Sequence, residues 1–160
     1  WQRGILTALQ ALDLVLTEAG IPYWICGGTL LGAMRHGGFI PHDDDADIEC
    51  FESDVDRIQA AFAASPLRVE FSRNQGSYEG VPVGHIRLER HHDIVDVFLR
   101  EKAPLQALPQ YPSHAEVFPL RRLPFNGVLL NAPGGDADSY LCRCYSKDWS
   151  TSVRAFFNHM

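Results

Sequence analysis

The stretch from residue 27 to residue 48, GGTLLGAMRHGGFIPHDDDADI, determines the fold expected for this chain. It begins with a glycine pair, continues through a short amphipathic run and ends in a cluster of aspartates. Asp45 and Asp47 alternate with apolar residues, which is the period of a half-buried strand. Their carboxylates are therefore expected on one face, about 7 Å apart along the strand. Carboxylates held this close repel each other unless a cation or a strong donor lies between them, so a divalent metal is the expected occupant.

The expected metal is a hard, oxygen-seeking cation, because the ligands are carboxylates and no Cys or His accompanies them at zinc spacing. Mg²⁺ is the first expectation and Mn²⁺ the second. Asp43, Asp45 and Asp47 also match the opening of an EF-hand calcium loop, but that match fails further on. The sixth position of such a loop needs glycine and is Ile48 here, and the twelfth needs glutamate and is Asp54. An acidic surface turn is the alternative for an isolated D-x-D, and the flanking residues argue against it.

The residues before the acids predict a phosphate site. Residues 23–26 form a short apolar run that predicts a strand, and Gly27 and Gly28 follow it directly. Glycines at the end of a strand allow a sharp turn and a close approach of the backbone to a ligand. A helix is predicted next, and the free N–H groups of a helix N-terminus bind phosphate. Phosphate on one side and metal on the other is the arrangement of a nucleotide site.

A third carboxylate is predicted on a neighbouring strand. In HHDIVDVFL, residues 91–99, Asp96 interrupts the apolar face of a β-rich run. A lone buried carboxylate is strongly unfavourable unless it is paired or bound to a metal, so Asp96 is expected beside Asp45 and Asp47. Asp93 faces the other way and is the weaker candidate. We therefore predict that Asp93→Asn is far milder than Asp96→Asn.

The stretch resembles the signature of the LicD and fukutin-related family of phosphotransferases. In that family G-[GT]-x-L-L-G, R-H-x-G-F-I-P and an acidic D-D-D-x-D run follow one another, as they do here. The later runs IVDVF, FNGVLL and SYLCRCYSKDW resemble the remaining landmarks of the family, so the resemblance covers residues 27–149. His42 stands where the family usually has Trp, which bears on the choice of substrate more than on the chemistry.

The resemblance implies an α/β fold (α+β) of the nucleotidyltransferase type, a small mixed β-sheet with helices packed on one side, in one domain over residues 1–160. The implied reaction moves a phospho-alcohol, of the phosphocholine or phosphoribitol type, from a CDP-activated donor to a hydroxyl of a glycan or glycoconjugate and releases CMP. Mg²⁺ or Mn²⁺ is the implied cofactor. A D-x-D glycosyltransferase, a nucleotidyltransferase and a non-catalytic nucleotide- or glycan-binding domain are the alternatives.

Individual residues acquire expected roles from this resemblance. Asp45 and Asp47 would ligate the metal. Asp96 would complete the metal site and help to deprotonate the acceptor hydroxyl, and Asp43 would be an auxiliary ligand. The residues expected to bind the donor are Gly27, Gly28, Thr29, Arg35 and Arg87, with a solvent-facing position as the alternative for each arginine. Arginine suits this role because its planar guanidinium matches the geometry of phosphate oxygens.

Composition excludes several classes of function. The formal net charge of −6 argues against a nucleic-acid partner, because a broad basic surface is what offsets phosphate repulsion. No run approaches 18 uninterrupted apolar residues, so no membrane span is expected in this chain. The four cysteines are too few and too irregularly spaced for a disulfide framework. The resemblance leaves the compartment open, since bacterial members are cytoplasmic and eukaryotic relatives work in the Golgi lumen behind an anchor.

The remaining segments predict scaffold and specificity loops. Asn126-Gly127 lies between two β-rich runs and is the strongest short signal for a β-hairpin. Asp136 or Asp138 is expected to cap a final helix. The segments 73–82 and 102–116 are predicted to be loops on which the donor alcohol and the acceptor depend.

Overall fold

A computed structural model describes residues 1–67, 69–78, 80–88, 94–102 and 108–151. The helices are α1 (Gln2–Glu18), α2 (Gly27–His36), α3 (Val55–Ala64), α4 (His114–Val117) and α5 (Ala137–Tyr145), with a short 3-10 turn at Glu52–Asp54 before α3. The strands are β1 (Tyr23–Ile25), β2 (Ala46–Phe51), β3 (Val69–Tyr78), β4 (Val81–Leu88), β5 (Ile94–Arg100), β6 (Leu120–Phe125) and β7 (Val128–Pro133).

The main sheet has five strands in the order β1-β2-β5-β4-β3. Strands β2 and β5 are parallel, and the other neighbours are antiparallel. A separate two-stranded sheet is formed by β6 and β7. The expected mixed sheet of an α/β protein is therefore confirmed.

One face of the main sheet is covered by helices. Apolar residues recur along α1 at helical spacing, and Leu9, Leu12 and Leu16 are fully buried. They belong to the same core as Ile48 of β2 and Val97 of β5. Each fully buried aliphatic side chain contributes about 1.5–3 kcal/mol, so this layer fixes the sheet against α1. Side chains at the alternate positions of β2 and β5 point to the opposite face, where the acids lie.

The β6–β7 hairpin confirms the Asn-Gly prediction and also supports the loop that carries the acids. Asn126 and Gly127 have φ of 46° and 84°, the left-handed conformation that a tight two-residue turn requires. The backbone N–H of Asn126 donates to the carbonyl of Gly37 over 2.7 Å, and its side-chain oxygen accepts from the N–H of Phe39 over 2.9 Å. The hairpin tip therefore fixes the start of the segment that leads to Asp43.

The prediction of a loop over residues 73–82 is wrong. Strand β3 continues to Tyr78 and β4 begins at Val81, with Tyr78 paired opposite Val81. The polar second half of β3 lies on the outer strand of the sheet, where backbone pairing stabilises a strand even without apolar side chains. Its register shifts between Arg73 and Ser77, which breaks the alternation that a regular strand would show.

No helix in the described ranges is both long enough and apolar enough to cross a bilayer. Residues 103–107 of the second predicted specificity loop lie outside the described residues.

Candidate active site

The parallel pairing of β2 with β5 brings the predicted acids together. Asp47 lies directly opposite Asp96 in the register of the two strands. One carboxylate oxygen from each of Asp45, Asp47 and Asp96 lies within 4.8 Å of the others, which is close enough for one metal ion. A second group with the same spacing consists of Asp43, Asp44 and Asp45, and Asp44 is an acid that the sequence did not single out.

The electrostatics of this cluster favour a cation. Burial raises the pKa of Asp47 well above its usual value, and the charges of Asp45 and Asp96 raise it further. Without a positive charge nearby, Asp47 therefore resists ionisation. A hard divalent cation with oxygen ligands would reverse this effect, and the donor set fits Mg²⁺ or Mn²⁺.

The surroundings of Asp96 differ from those that the sequence predicted, a buried acid whose partner is the metal held with Asp45 and Asp47. Its side chain is 30% exposed, and its Oδ1 lies 2.7 Å from Nδ1 of His85. His85 is the residue directly opposite Asp96 on β4. Asp96 therefore already has a partner from the protein. The sequence alone does not identify His85 as a neighbour of Asp96, because only the strand register brings the two residues together.

The glycine pair makes room for the acids. A Cβ atom on Gly27 would lie 2.8 Å from Oδ2 of Asp47, and one on Gly28 would lie 3.4 Å from Oδ2 of Asp43. Gly27 also has φ of 52°, and both glycines lie in the first turn of α2 rather than in a separate turn before it. The backbone N–H of Gly27 donates to the hydroxyl of Tyr140 over 3.1 Å. The glycines thus allow the carboxylates to lie against the start of α2.

We expect Gly27→Ala to disrupt the site, because the methyl group would collide with the Asp47 carboxylate. Gly20→Ala is the matched control, since Gly20 has a similar φ of 64° and nothing within 4 Å of its added Cβ. Both variants should lose about 1 kcal/mol of stability from the left-handed backbone. Only Gly27→Ala should also weaken Mn²⁺ binding, as measured by calorimetry. Equal Mn²⁺ affinity in the two variants would contradict the close approach of Asp47.

The other predicted donor-binding residues lie on α2 and β4. Thr29 is buried, and its hydroxyl accepts from the backbone N–H of Asp47 over 2.9 Å. Nε of Arg35 donates to the carbonyl of Trp149 over 2.6 Å, which ties α2 to the segment after α5. Arg87 lies on β4 opposite Ile94, but its side chain is outside the described residues. Asp93 lies outside them as well, so its predicted facing stays a prediction.

A buried ion pair follows the acids along the same face of the sheet. Oε2 of Glu49 accepts from Nη1 of Arg100 over 2.8 Å and from the indole N–H of Trp24 over 2.9 Å. Glu49 is fully buried and Arg100 is 4% exposed. Burial raises the pKa of Glu49 to about 7 against the opposing effects of Arg100 and Trp24. The alternation of acidic and apolar residues in the sequence extends from Asp45 to Glu49, but no pattern of neighbouring residues identifies Arg100 as the partner of Glu49.

Helix α5 lies beside the acid cluster. Asp136 is its N-cap, as predicted, and its side chain accepts from the backbone N–H of Ser139. Burial raises the pKa of the Tyr145 hydroxyl at the other end of this helix, and the charge of Asp47 raises it further. The site is therefore bounded by α2 on one side and by α5 on another.

Two solved structures share the fold of this chain. ANT(2")-Ia, solved in complex with adenylyl-2"-tobramycin, superposes with a TM-score of 0.56 and 15% identity over 89% of this chain and 79% of that one. The lincosamide antibiotic adenylyltransferase LnuA superposes with a TM-score of 0.54 and 11% identity over 91% of this chain and 97% of that one. The chain therefore has the nucleotidyltransferase fold.

The sequence match defines the family within this class. The model of the LicD/FKTN/FKRP nucleotidyltransferase domain matches residues 20–135, and the chain belongs to this family. Human ribitol 5-phosphate transferase FKRP is 46% identical over 147 residues, which cover 74% of this chain and 26% of that protein. The lipopolysaccharide cholinephosphotransferase LicD of Haemophilus influenzae is 51% identical over 57 residues, which cover 36% of this chain and 22% of that protein. The chain spans less than half the length of the curated relatives it matches.

Proposed function

We propose that this domain is a metal-dependent phosphotransferase. It moves a phospho-alcohol of the phosphocholine or phosphoribitol type from a CDP-activated donor to a glycan hydroxyl and releases CMP. The observation that carries the proposal is the cluster of Asp45, Asp47 and Asp96, whose ligand oxygens lie within 4.8 Å of one another. The chain that bears this cluster belongs to a family whose named members include transferases of ribitol 5-phosphate and phosphocholine.

The acids have distinct roles in this reaction. Asp45, Asp47 and Asp96 hold the cation, and Asp43 is an auxiliary ligand. When bound, the cation neutralises charge on the donor phosphates and orients them for in-line displacement. Asp96 accepts the proton of the acceptor hydroxyl as its oxygen forms a bond to phosphorus and the bond from phosphorus to the CMP oxygen breaks. The charge then remains on CMP, which leaves.

The start of α2 is the proposed site for the donor phosphates. Gly28 and Thr29 lie in its first turn, where backbone N–H groups and the helix dipole favour an anion. Arg35 and Arg87 are proposed to add positive charge around the donor. Since phosphoryl transfer depends on positioning and charge neutralisation more than on covalent catalysis, these residues suffice without a protein nucleophile.

Nucleotide titration tests the proposed function. CDP, CTP and UDP are each titrated into the purified protein by calorimetry, with and without Mg²⁺ or Mn²⁺. We expect metal-dependent binding with a preference for the cytidine nucleotides, and loss of that binding in Asp45→Ala. The donor is then sought by release of CMP from CDP-choline and CDP-ribitol in the presence of glycan acceptors.

Other results would redirect or overturn the proposal. A preference for UDP would favour a D-x-D glycosyltransferase, and release of pyrophosphate from CTP would favour nucleotidyl transfer. Nucleotide binding that is equal in wild type and Asp45→Ala would contradict the site. Absence of nucleotide binding under all conditions would leave a non-catalytic domain.

A further inference from the structure

His85 contacts Asp96, the third acid of the site, because the strand register places the two residues opposite each other. Residues directly opposite each other in an antiparallel pair have side chains on the same face, and His85 is opposite Asp96. The alternate positions of β4, Gly84 and Ile86, are buried on the other face. The imidazole thus lies on the site face beside Asp96, and its side chain is 18% exposed.

The chemistry of the two groups indicates which of them donates the hydrogen bond. An ionised carboxylate only accepts hydrogen bonds, so Nδ1 of His85 carries the proton that is shared with Oδ1 of Asp96 over 2.7 Å. A carboxylate rotates about its final bond unless a partner fixes it. With Oδ1 held by the imidazole, the carboxylate plane is set and its second oxygen keeps a fixed direction. Groups that orient a metal ligand in this way commonly control its affinity for the metal.

We propose that His85 is a positioning residue, which acts through its Nδ1–H to hold the Asp96 carboxylate in the orientation that binds the metal and the acceptor. This inference rests on the proposed function, since it assumes that Asp96 is a ligand. It adds to the site a residue that lies outside the acidic motif.

Two substitutions of similar polarity separate positioning from mere packing. In His85→Asn the amide N–H takes nearly the place of Nδ1–H, whereas in His85→Gln it lies near the place of Nε2. Mn²⁺ alone is the probe, and its affinity is measured by calorimetry and by the loss of the free-ion EPR signal. We expect His85→Gln to weaken Mn²⁺ binding by about tenfold or more and His85→Asn to remain within about threefold of wild type.

Ser72→Ala is the matched control, because Ser72 is the exposed residue opposite His85 on its other neighbour, β3. It should leave Mn²⁺ affinity unchanged. In a cycle with Asp96→Asn, the effect of His85→Gln should disappear, because the group that it positions has been replaced. Melting curves without metal show whether each variant is folded.

Each outcome decides the inference. Rescue by His85→Asn together with coupling to Asp96 supports it. Equal Mn²⁺ affinity in His85→Asn and His85→Gln, with intact binding by wild type, overturns the positioning role and leaves the proposed function standing. If wild type itself does not bind Mn²⁺ or Mg²⁺, the metal part of the proposed function fails and the inference fails with it.

Discussion

Asp47→Asn should raise the melting temperature of the metal-free protein and abolish metal binding at the same time. Burial and the charges of Asp45 and Asp96 raise the pKa of Asp47, so its ionised form opposes folding when no cation is present. Removing that charge should add about 1 kcal/mol, which corresponds to about 2–4 °C for a chain of this size. Thermal melting in EDTA and in Mn²⁺ measures both effects. Mn²⁺ should raise the melting temperature of wild type but leave that of the variant unchanged.

The pH dependence of this gain checks its cause. Because the folded-state pKa of Asp47 lies above its usual value of 3.8, its contribution to stability is largest in acid and is lost as pH rises toward that folded-state pKa. The difference between variant and wild type should therefore grow from pH 4 to pH 7. Glu70→Gln is the control, since Glu70 is an exposed acid on the outer strand β3. A variant that melts well below wild type in EDTA, yet retains turnover, would contradict the assignment of Asp47.

Arg100→Met should cause the largest loss of stability among these variants. It leaves the fully buried carboxylate of Glu49 without the guanidinium that lies 2.8 Å away. Removing one partner of a buried ion pair typically costs about 3–5 kcal/mol, because the remaining charge is uncompensated. Urea unfolding at pH 8 measures the loss.

The same experiment at pH 5.5 tests this explanation. The pKa of Glu49 is raised to about 7 even beside Arg100, and removing the cation raises it further. At pH 5.5 the acid is therefore protonated in the folded variant, and the loss of stability should be smaller than at pH 8. The double variant with Glu49→Gln should recover much of the loss, because the amide still accepts from Trp24 and carries no charge. If the two substitutions are additive, the pair does not act as described.

Local patterns predicted those parts of the site whose residues are close together in the chain. The alternation around Asp45 and Asp47 predicted a strand, which begins at Ala46 and carries Asp47, while Asp45 lies just before it. Asn126-Gly127 predicted the hairpin. These features depend on strand period and turn geometry, which a few neighbouring residues determine. The family signature then indicated the nucleotidyltransferase fold, which the structure confirms.

Contacts between distant strands could not be predicted in the same way. That His85 meets Asp96, and that Arg100 meets Glu49, depends on the register of β4 and β2 against β5. A shift of one residue would send these side chains to opposite faces, and no local pattern fixes such a shift. The sequence predicted that the glycine pair lets the backbone approach a ligand. The structure shows that the missing side chain of Gly27 leaves space for the carboxylate of Asp47.

The direct pairing of β2 with β5 has a consequence for changes of length in the chain that connects them. The chain between these strands leaves through α3 and returns through the β3–β4 hairpin, which is added at the outer edge of the sheet. Lengthening or shortening the tip between Tyr78 and Val81 leaves the alignment of Asp47 with Asp96 unchanged. A change of length at this tip therefore need not move the two acids of the candidate metal site relative to each other.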